Sequence, residues 1–258
     1  MIFILIILFC FFSAPLYGEE SNGEKLALDV SVEHVQKYMW RGIDLQNDAG
    51  AIQPEMVLDL WGSGFYSGIW GSFAYDDEWR IWDEQDYFFG YYFTLFEQER
   101  YAIDMDLSYT YFHFPRQERS IDTMETAFAF KFPKLISPFE KTSFTPYTTF
   151  YYGWSQTGFG DVDGLWIKVG MDLETPMPAF PSANEEQPLS MYIETYHNDG
   201  AQGFNSKTGW SHLAMGISTT FEWYKIGFTP GIHYQWSWED TINNEDDFWY
   251  TFGVSYGF

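Results

Sequence analysis

The sequence predicts an all-β fold: a transmembrane antiparallel up-and-down β-barrel of about twelve strands, preceded by a signal peptide. Three observations predict it. Apolar and polar residues alternate in segment after segment, 22 % of the residues are aromatic, and a short apolar run opens the chain. Period two places alternate residues on opposite faces of a strand. Rings are enriched where strands leave a bilayer at the headgroup level. A barrel strand needs only every other residue to be apolar, so the slightly negative mean hydropathy suits a barrel and opposes a helical membrane protein.

The leader comes first. Ile2 to Phe12 are uninterrupted apolar residues, too few to cross a bilayer as a helix and of the right length for a signal-peptide core. Gly18 is the expected last leader residue and Ala14 the second choice, although no Lys or Arg precedes the core. The expected organisation is therefore 1–18 as signal peptide and 19–258 as barrel. Cys10 is the only cysteine and lies in the leader. A mature chain without it needs no disulfide and holds no cysteine metal site. Ile7-Leu8-Phe9 before it does not resemble a lipobox.

Strands are expected near 26–40, 51–61, 65–74, 84–95, 100–112, 122–132, 143–154, 164–174, 188–197, 209–222, 224–237 and 247–258. The first loses its clean alternation after Val32. The fourth has Tyr87, Phe89, Tyr91, Phe93 and Leu95 on the outward face. The fifth is the clearest, with Tyr101, Ile103, Met105, Leu107, Tyr109 and Tyr111 outward, aliphatic in the middle and aromatic at both ends. The eighth sets Leu165, Ile167, Val169, Met171 and Leu173 against Trp166, Lys168, Gly170 and Asp172. The tenth has Leu213, Met215, Ile217, Thr219 and Phe221 outward, and the eleventh Ile226, Phe228, Pro230, Ile232, Tyr234 and Trp236. The last alternates from Phe248 to the final Phe258, resembling the assembly signal of bacterial outer-membrane proteins. An even strand number puts both termini on the periplasmic side. Gly62-Ser63-Gly64 and Glu222-Trp223-Tyr224-Lys225 then turn there, and 197–208 and 237–246 fall outside. Stretches 133–142 and 175–187 are long for periplasmic turns. Pro54, Pro146 and Pro230 remove ladder donors inside strands, so bulges or strand ends are expected there.

The formal net charge is −24, which opposes nucleic-acid binding and simple docking on anionic lipid. The alternation sends many acids inward. Pore-lining candidates are Asp29, Glu33, Glu55, Asp59, Glu84, Asp86, Asp104, Asp106, Glu125, Asp172, Glu194 and Glu222, with Lys131 and Lys168 the chief inward bases. Like charges along a water-filled passage favour cations. Inward Phe88, Tyr92, Phe112, Trp166 and Tyr192 argue instead for a narrow, plugged lumen.

An ordered set of motifs adds a resemblance. Tyr38-Met39-Trp40-Arg41-Gly42-Ile43 is followed by Ala51-Ile52-Gln53-Pro54 and by Gly64-Phe65-Tyr66-Ser67-Gly68-Ile69-Trp70-Gly71-Ser72. Then come Glu84-Gln85-Asp86-Tyr87-Phe88-Phe89-Gly90-Tyr91, Tyr109-Thr110-Tyr111-Phe112-His113-Phe114-Pro115 and Glu125. Over residues 30–130 this order resembles the TorF-type family of bacterial outer-membrane porins. The resemblance implies a barrel and a pore, and it supplies no catalytic residues. Trp40, Arg41 and Gly42 are read as structural: Trp40 as an interface anchor, Arg41 as a partner for barrel acids, Gly42 as a strand end.

Enzymatic chemistry is weakly represented. The histidines are His34, His113, His197, His212 and His233. Only His197 shares an expected loop with a serine, Ser206, and no nucleophile motif surrounds it. Glu84/Asp86 and Asp104/Asp106 put paired carboxylates on one face, with no third ligand to make a cation site. No cofactor is expected. The expected function is a passive outer-membrane pore for small polar or cationic solutes. Its partners are outer-membrane lipids and, through the C-terminal strand, the barrel-assembly machinery. The alternatives are a narrow plugged barrel with a structural or adhesive role, and a lipid hydrolase acting at the rim.

Overall fold

The computed structural model describes residues 26–155, 163–179, 186–200 and 206–258. Twelve antiparallel strands form the wall: β1 Ala27–Val35, β2 Ala51–Asp59, β3 Phe65–Ala74, β4 Glu84–Leu95, β5 Ile103–His113, β6 Thr123–Lys131, β7 Thr142–Ser155, β8 Gly164–Pro178, β9 Glu186–Asn198, β10 Gly209–Thr219, β11 Ile226–Ser237 and β12 Asp247–Gly257. Each pairs with its neighbours in sequence, and β12 pairs with β1 from Asp29↔Gly257 to Val35↔Thr251. The barrel is closed and exposes no edge. The leader, its cleavage site and Cys10 lie outside the described residues.

Facing follows the alternation. Leu107 is 52 % exposed while its neighbours Asp106 and Ser108 are buried in the lumen. Tyr87, Phe89, Val169, Met215, Ile232, Phe248 and Tyr250 are also outward and exposed. An apolar exterior over a charged interior suits lipid outside and polar groups inside. Leu107→Arg is therefore expected to cost ~2–4 kcal/mol, the price of a basic side chain near the bilayer midplane. Ser108 is no fair inward control, because it sits opposite Gly90 and Ala127 with no room for a long side chain. Ser31 is the better one. It faces the lumen opposite Glu55, where an Arg finds carboxylates. Chemical denaturation of the refolded protein should show Leu107→Arg strongly destabilised and Ser31→Arg nearly unchanged. Equal losses would mean that the register is wrong.

The structure departs from the sequence expectations in three places. β1 ends at Val35, not near residue 40, and residues 36–50 leave the wall. The stretches 133–142 and 175–187 carry strand pairing in part, and residues 180–185 lie outside the described residues. Ile136–Phe139 pairs back on β7, and β8 pairs with β9 out to Pro178↔Glu186. The prolines make gaps rather than bulges. The β2–β3 ladder skips Gln53 and Pro54 with no change of register. The β10–β11 ladder ends at Gly231, one residue before Pro230. Pro146 stands one residue beyond the reach of β6, and its carbonyl accepts from Phe132. The register shifts are elsewhere: one at Thr142/Phe144, where Ile136–Phe139 pairs with β7, and one in the wall between β9 and β10 at Thr195/His197, where β10 carries an extra residue. That extra residue turns both Ser211 and His212 inward, as bulges do when they re-aim side chains.

Candidate functional site

Residues 36–50 connect β1 to β2 by way of the lumen. Met39–Trp40 and Ile43–Asp44 form a two-pair hairpin whose turn is Arg41-Gly42. Both turn residues have positive φ, 49° for Arg41 and 91° for Gly42, as a two-residue hairpin turn of this hand requires. Gly42 is dictated twice over. A Cβ there would lie 2.4 Å from Nδ1 of His212, a ring that is itself fully buried. Arg41 holds a left-handed conformation that a non-glycine residue adopts only at a cost.

The hairpin is fastened around its whole circumference. Lys37 bridges to Asp247 of β12 at 2.5 Å and also to Asp48. Burial opposes the Lys37 charge, but these two carboxylates outweigh it and hold the ammonium above its ordinary range. The Tyr38 hydroxyl donates to Glu84 of β4 at 2.7 Å. Arg41 reaches Glu125 of β6, with Nη2 at 2.7 Å from one carboxylate oxygen and 2.6 Å from the other. Its guanidinium carbon lies 4.2 Å from the Tyr151 ring, 4.6 Å from Trp40 and 4.9 Å from Trp166. Gln235 of β11 donates to the Gly42 carbonyl at 2.8 Å.

The same section of barrel holds both apolar clusters. Met39 packs with Ala127, Tyr151, Trp166, Tyr196, Ala214 and Trp249. Val35 and Tyr38 pack with Ala51, Val57, Trp70, Phe88 and Phe112. Every strand contributes at least one buried inward residue at this level, from Val35 on β1 to Trp249 on β12. Among the described residues the lumen is filled with side chains there. The fit is not a saturated one. Nε and Nη1 of Arg41, both amide atoms of Gln46, the amide oxygens of Gln53 and Gln235, and Nε2 of His212 are buried with no hydrogen-bond partner among the described residues. Each such group costs about 1–3 kcal/mol relative to hydration.

The inward acids and bases divide by depth. Glu84, Asp86, Asp106, Glu125, Lys168, Asp172 and Glu194 are buried. Many of these have partners: Tyr66 donates to Asp106 at 2.8 Å, Tyr147 to Glu194 at 2.7 Å, and Lys168 stands 3.5 Å from Glu194. Lys131 lies 3.5 Å from Asp172, and Thr94 donates to Asp104 at 2.8 Å. Asp29, Glu33, Glu55 and Asp59 form a different group. They share the inner face of two adjacent strands toward the end carrying the termini, and are only half-buried. Among the described residues none of these four is in an ion pair with Lys or Arg. Glu222 is exposed at the mouth, opposite Gly227.

Sequence reasoning anticipated that Arg41 pairs with a barrel acid, and the structure brings it to Glu125. Gly42 lies in the turn that ends the short strand Met39–Trp40, a strand of the lumenal hairpin and not of the wall, and Trp40 is no interface anchor, because it too belongs to that hairpin. The signal in the sequence was the break in alternation after Val32, just before an aromatic, Arg-Gly-containing stretch. His212, Gln235, Tyr151 and Asp247 carried no signal of their own. His197 and Ser206 are not brought together. His197 meets the ring of Trp210 at 5.4 Å, and Ser206 contacts Asn198.

Comparison with solved structures finds barrels. The fold matches the KdgM porin at 9 % identity, covering 90 % of this chain and 99 % of that one, with a TM-score of 0.50. It matches the COG4313 outer membrane channel from Pseudomonas putida F1 at 10 % identity, 93 % and 99 % coverage and a TM-score of 0.51. The NanC porin matches at 9 % identity, 89 % and 98 % coverage and a TM-score of 0.50. At these identities the likeness is one of fold, that of an outer-membrane porin-type barrel. Comparison with curated proteins finds no match. The family that matches is not named for TorF: over residues 19–186, the chain belongs to the family described as bacterial protein of unknown function (Gcw_chp).

Proposed function

We propose that this chain is an outer-membrane porin of the TorF type, exported by its leader and closed by its own segment 36–50. Small polar or cationic solutes pass when that segment leaves the lumen. The observation that carries this reading is the hairpin centred on Arg41. It fills a barrel of porin-type fold by apolar packing together with ionic and hydrogen-bonded contacts, and several buried polar atoms in and around it have no hydrogen-bond partner among the described residues. A permanent core satisfies its polar groups. A segment that undocks hydrates them instead. The acid wall of Asp29, Glu33, Glu55 and Asp59 then attracts cations.

The second reading is a permanently filled barrel with a structural or adhesive role, favoured by the burial of inward residues on all twelve strands. In both readings the C-terminal strand addresses the chain to the barrel-assembly machinery, outer-membrane lipid surrounds it, and the wall performs no catalysis. Cell fractionation tests the shared part. The protein is expected in the outer membrane, migrating faster on gels before boiling than after. Recovery as a soluble periplasmic protein would overturn both readings.

A further inference from the structure

The surroundings of Arg41 have the composition of a receptor site for an organic cation. A carboxylate, Glu125, is 6 % exposed and meets the guanidinium edge. Tyr151 and Trp166 supply ring faces at 4.2 and 4.9 Å from its central carbon. Such cages recognise cations by joining a desolvated negative charge to aromatic quadrupoles. All three residues belong to the wall, on β6, β7 and β8. Only the occupant, with the nearby Trp40, belongs to the hairpin. The occupant is also incompletely held. Nη2 serves both carboxylate oxygens, while Nε and Nη1 are buried with no acceptor among the described residues. The hairpin turn fixes the backbone of Arg41, at φ 49°, and so ties its guanidinium to one approach. A free alkylguanidinium carries no such tether.

We infer that Glu125, Tyr151 and Trp166 form a binding site for alkylguanidinium solutes, which Arg41 occupies in the closed barrel and from which such a solute displaces it. This rests on the proposed gating by segment 36–50 for its effect on conduction, but not for the binding itself. Tethering gives Arg41 a high effective concentration at the site, so the wild-type protein binds free ligand weakly. Removing the Arg41 side chain leaves a cavity of guanidinium shape, and a cavity in a folded protein takes up a ligand that fits it.

The test uses Arg41→Ala protein folded in detergent, with methylguanidinium as probe and isothermal titration calorimetry as readout. Saturable binding is expected, at least ~tenfold tighter than that of methylammonium, whose compact point charge lacks the planar fork. Adding Glu125→Gln should abolish it. Wild-type protein should saturate only at higher concentrations. In planar bilayers methylguanidinium should raise wild-type conductance where methylammonium does not. Absence of saturable binding to Arg41→Ala, or binding indifferent to Glu125→Gln, overturns the site. If Arg41→Ala does not fold, calorimetry on the wild-type protein decides: methylguanidinium binding no tighter than that of methylammonium rejects the site. Binding without any conductance keeps the site and rejects the gate. Conductance without guanidinium preference does the reverse.

Discussion

Glu125→Gln is expected to turn a mostly closed barrel into one that conducts for much of the time. The substitution keeps the size of the side chain and removes its charge. Arg41 then stays buried between Trp40, Tyr151 and Trp166 with no counter-ion at its Nη2. Breaking a buried pair by removing one partner costs about 3–5 kcal/mol, because the other charge is left uncompensated. That cost falls on the docked hairpin alone, since the undocked segment hydrates its guanidinium. With each 1.4 kcal/mol worth about tenfold in an equilibrium, the open fraction should rise by roughly two to three orders of magnitude. Single-channel recording of refolded wild-type and Glu125→Gln protein reads this as open time. Equal open times would show that the hairpin is held by other contacts.

The second large effect concerns ion preference in the open state. Asp29 and Glu33 on β1, with Glu55 and Asp59 on β2, form a wall of four carboxylates that no Lys or Arg neutralises among the described residues. The inward bases Lys131 and Lys168 lie on β6 and β8 and are engaged with Asp172 and Glu194. A one-sided acid wall raises the local cation concentration. The expected reversal potential in a salt gradient is therefore that of a cation-preferring pore. The preference should weaken as salt shortens the Debye length from about 10 Å at 0.1 M to about 3 Å at 1 M. Converting the four acids to their amides should remove most of it while leaving open time unchanged. An anion preference in the unsubstituted open barrel would sink the assignment of these side chains to the passage.

Much of this was legible in the sequence. Lipid outside and polar groups inside impose period two, so Leu107, Phe89 and Val169 announced their face, and so did Asp106 and Lys168 on the other. Strand number followed from the same pattern. The hairpin was not legible. A segment inside a lumen touches neither lipid nor bulk water, so neither constraint shapes its sequence. Tyr38, Trp40 and Arg41 read equally well as the ragged end of a first strand. The bulge at His212 was hidden for another reason: it breaks the alternation at one step only, Ser211 and His212 both turning inward between outward Trp210 and Leu213, and the pattern resumes on either side. The extended pairing of β8 and β9 escaped notice because strand pairing beyond the apolar belt need not carry the membrane pattern.

The central claim is that residues 36–50 close an otherwise conducting barrel. The structure allows a direct excision, because Val35 and Ala51 face each other across the β1–β2 ladder. Replacing residues 37–49 by Asn-Gly, a strong hairpin turn, removes the segment and leaves the wall strands intact. The decisive measurement is the planar-bilayer conductance of this protein beside wild type, both shown to be folded by their heat-modifiable mobility. A steady open conductance in the excised barrel, set against rare openings in the wild type, is the expected result. A folded excised barrel that remains silent would contradict the claim, leaving the permanently filled barrel as the account of this chain.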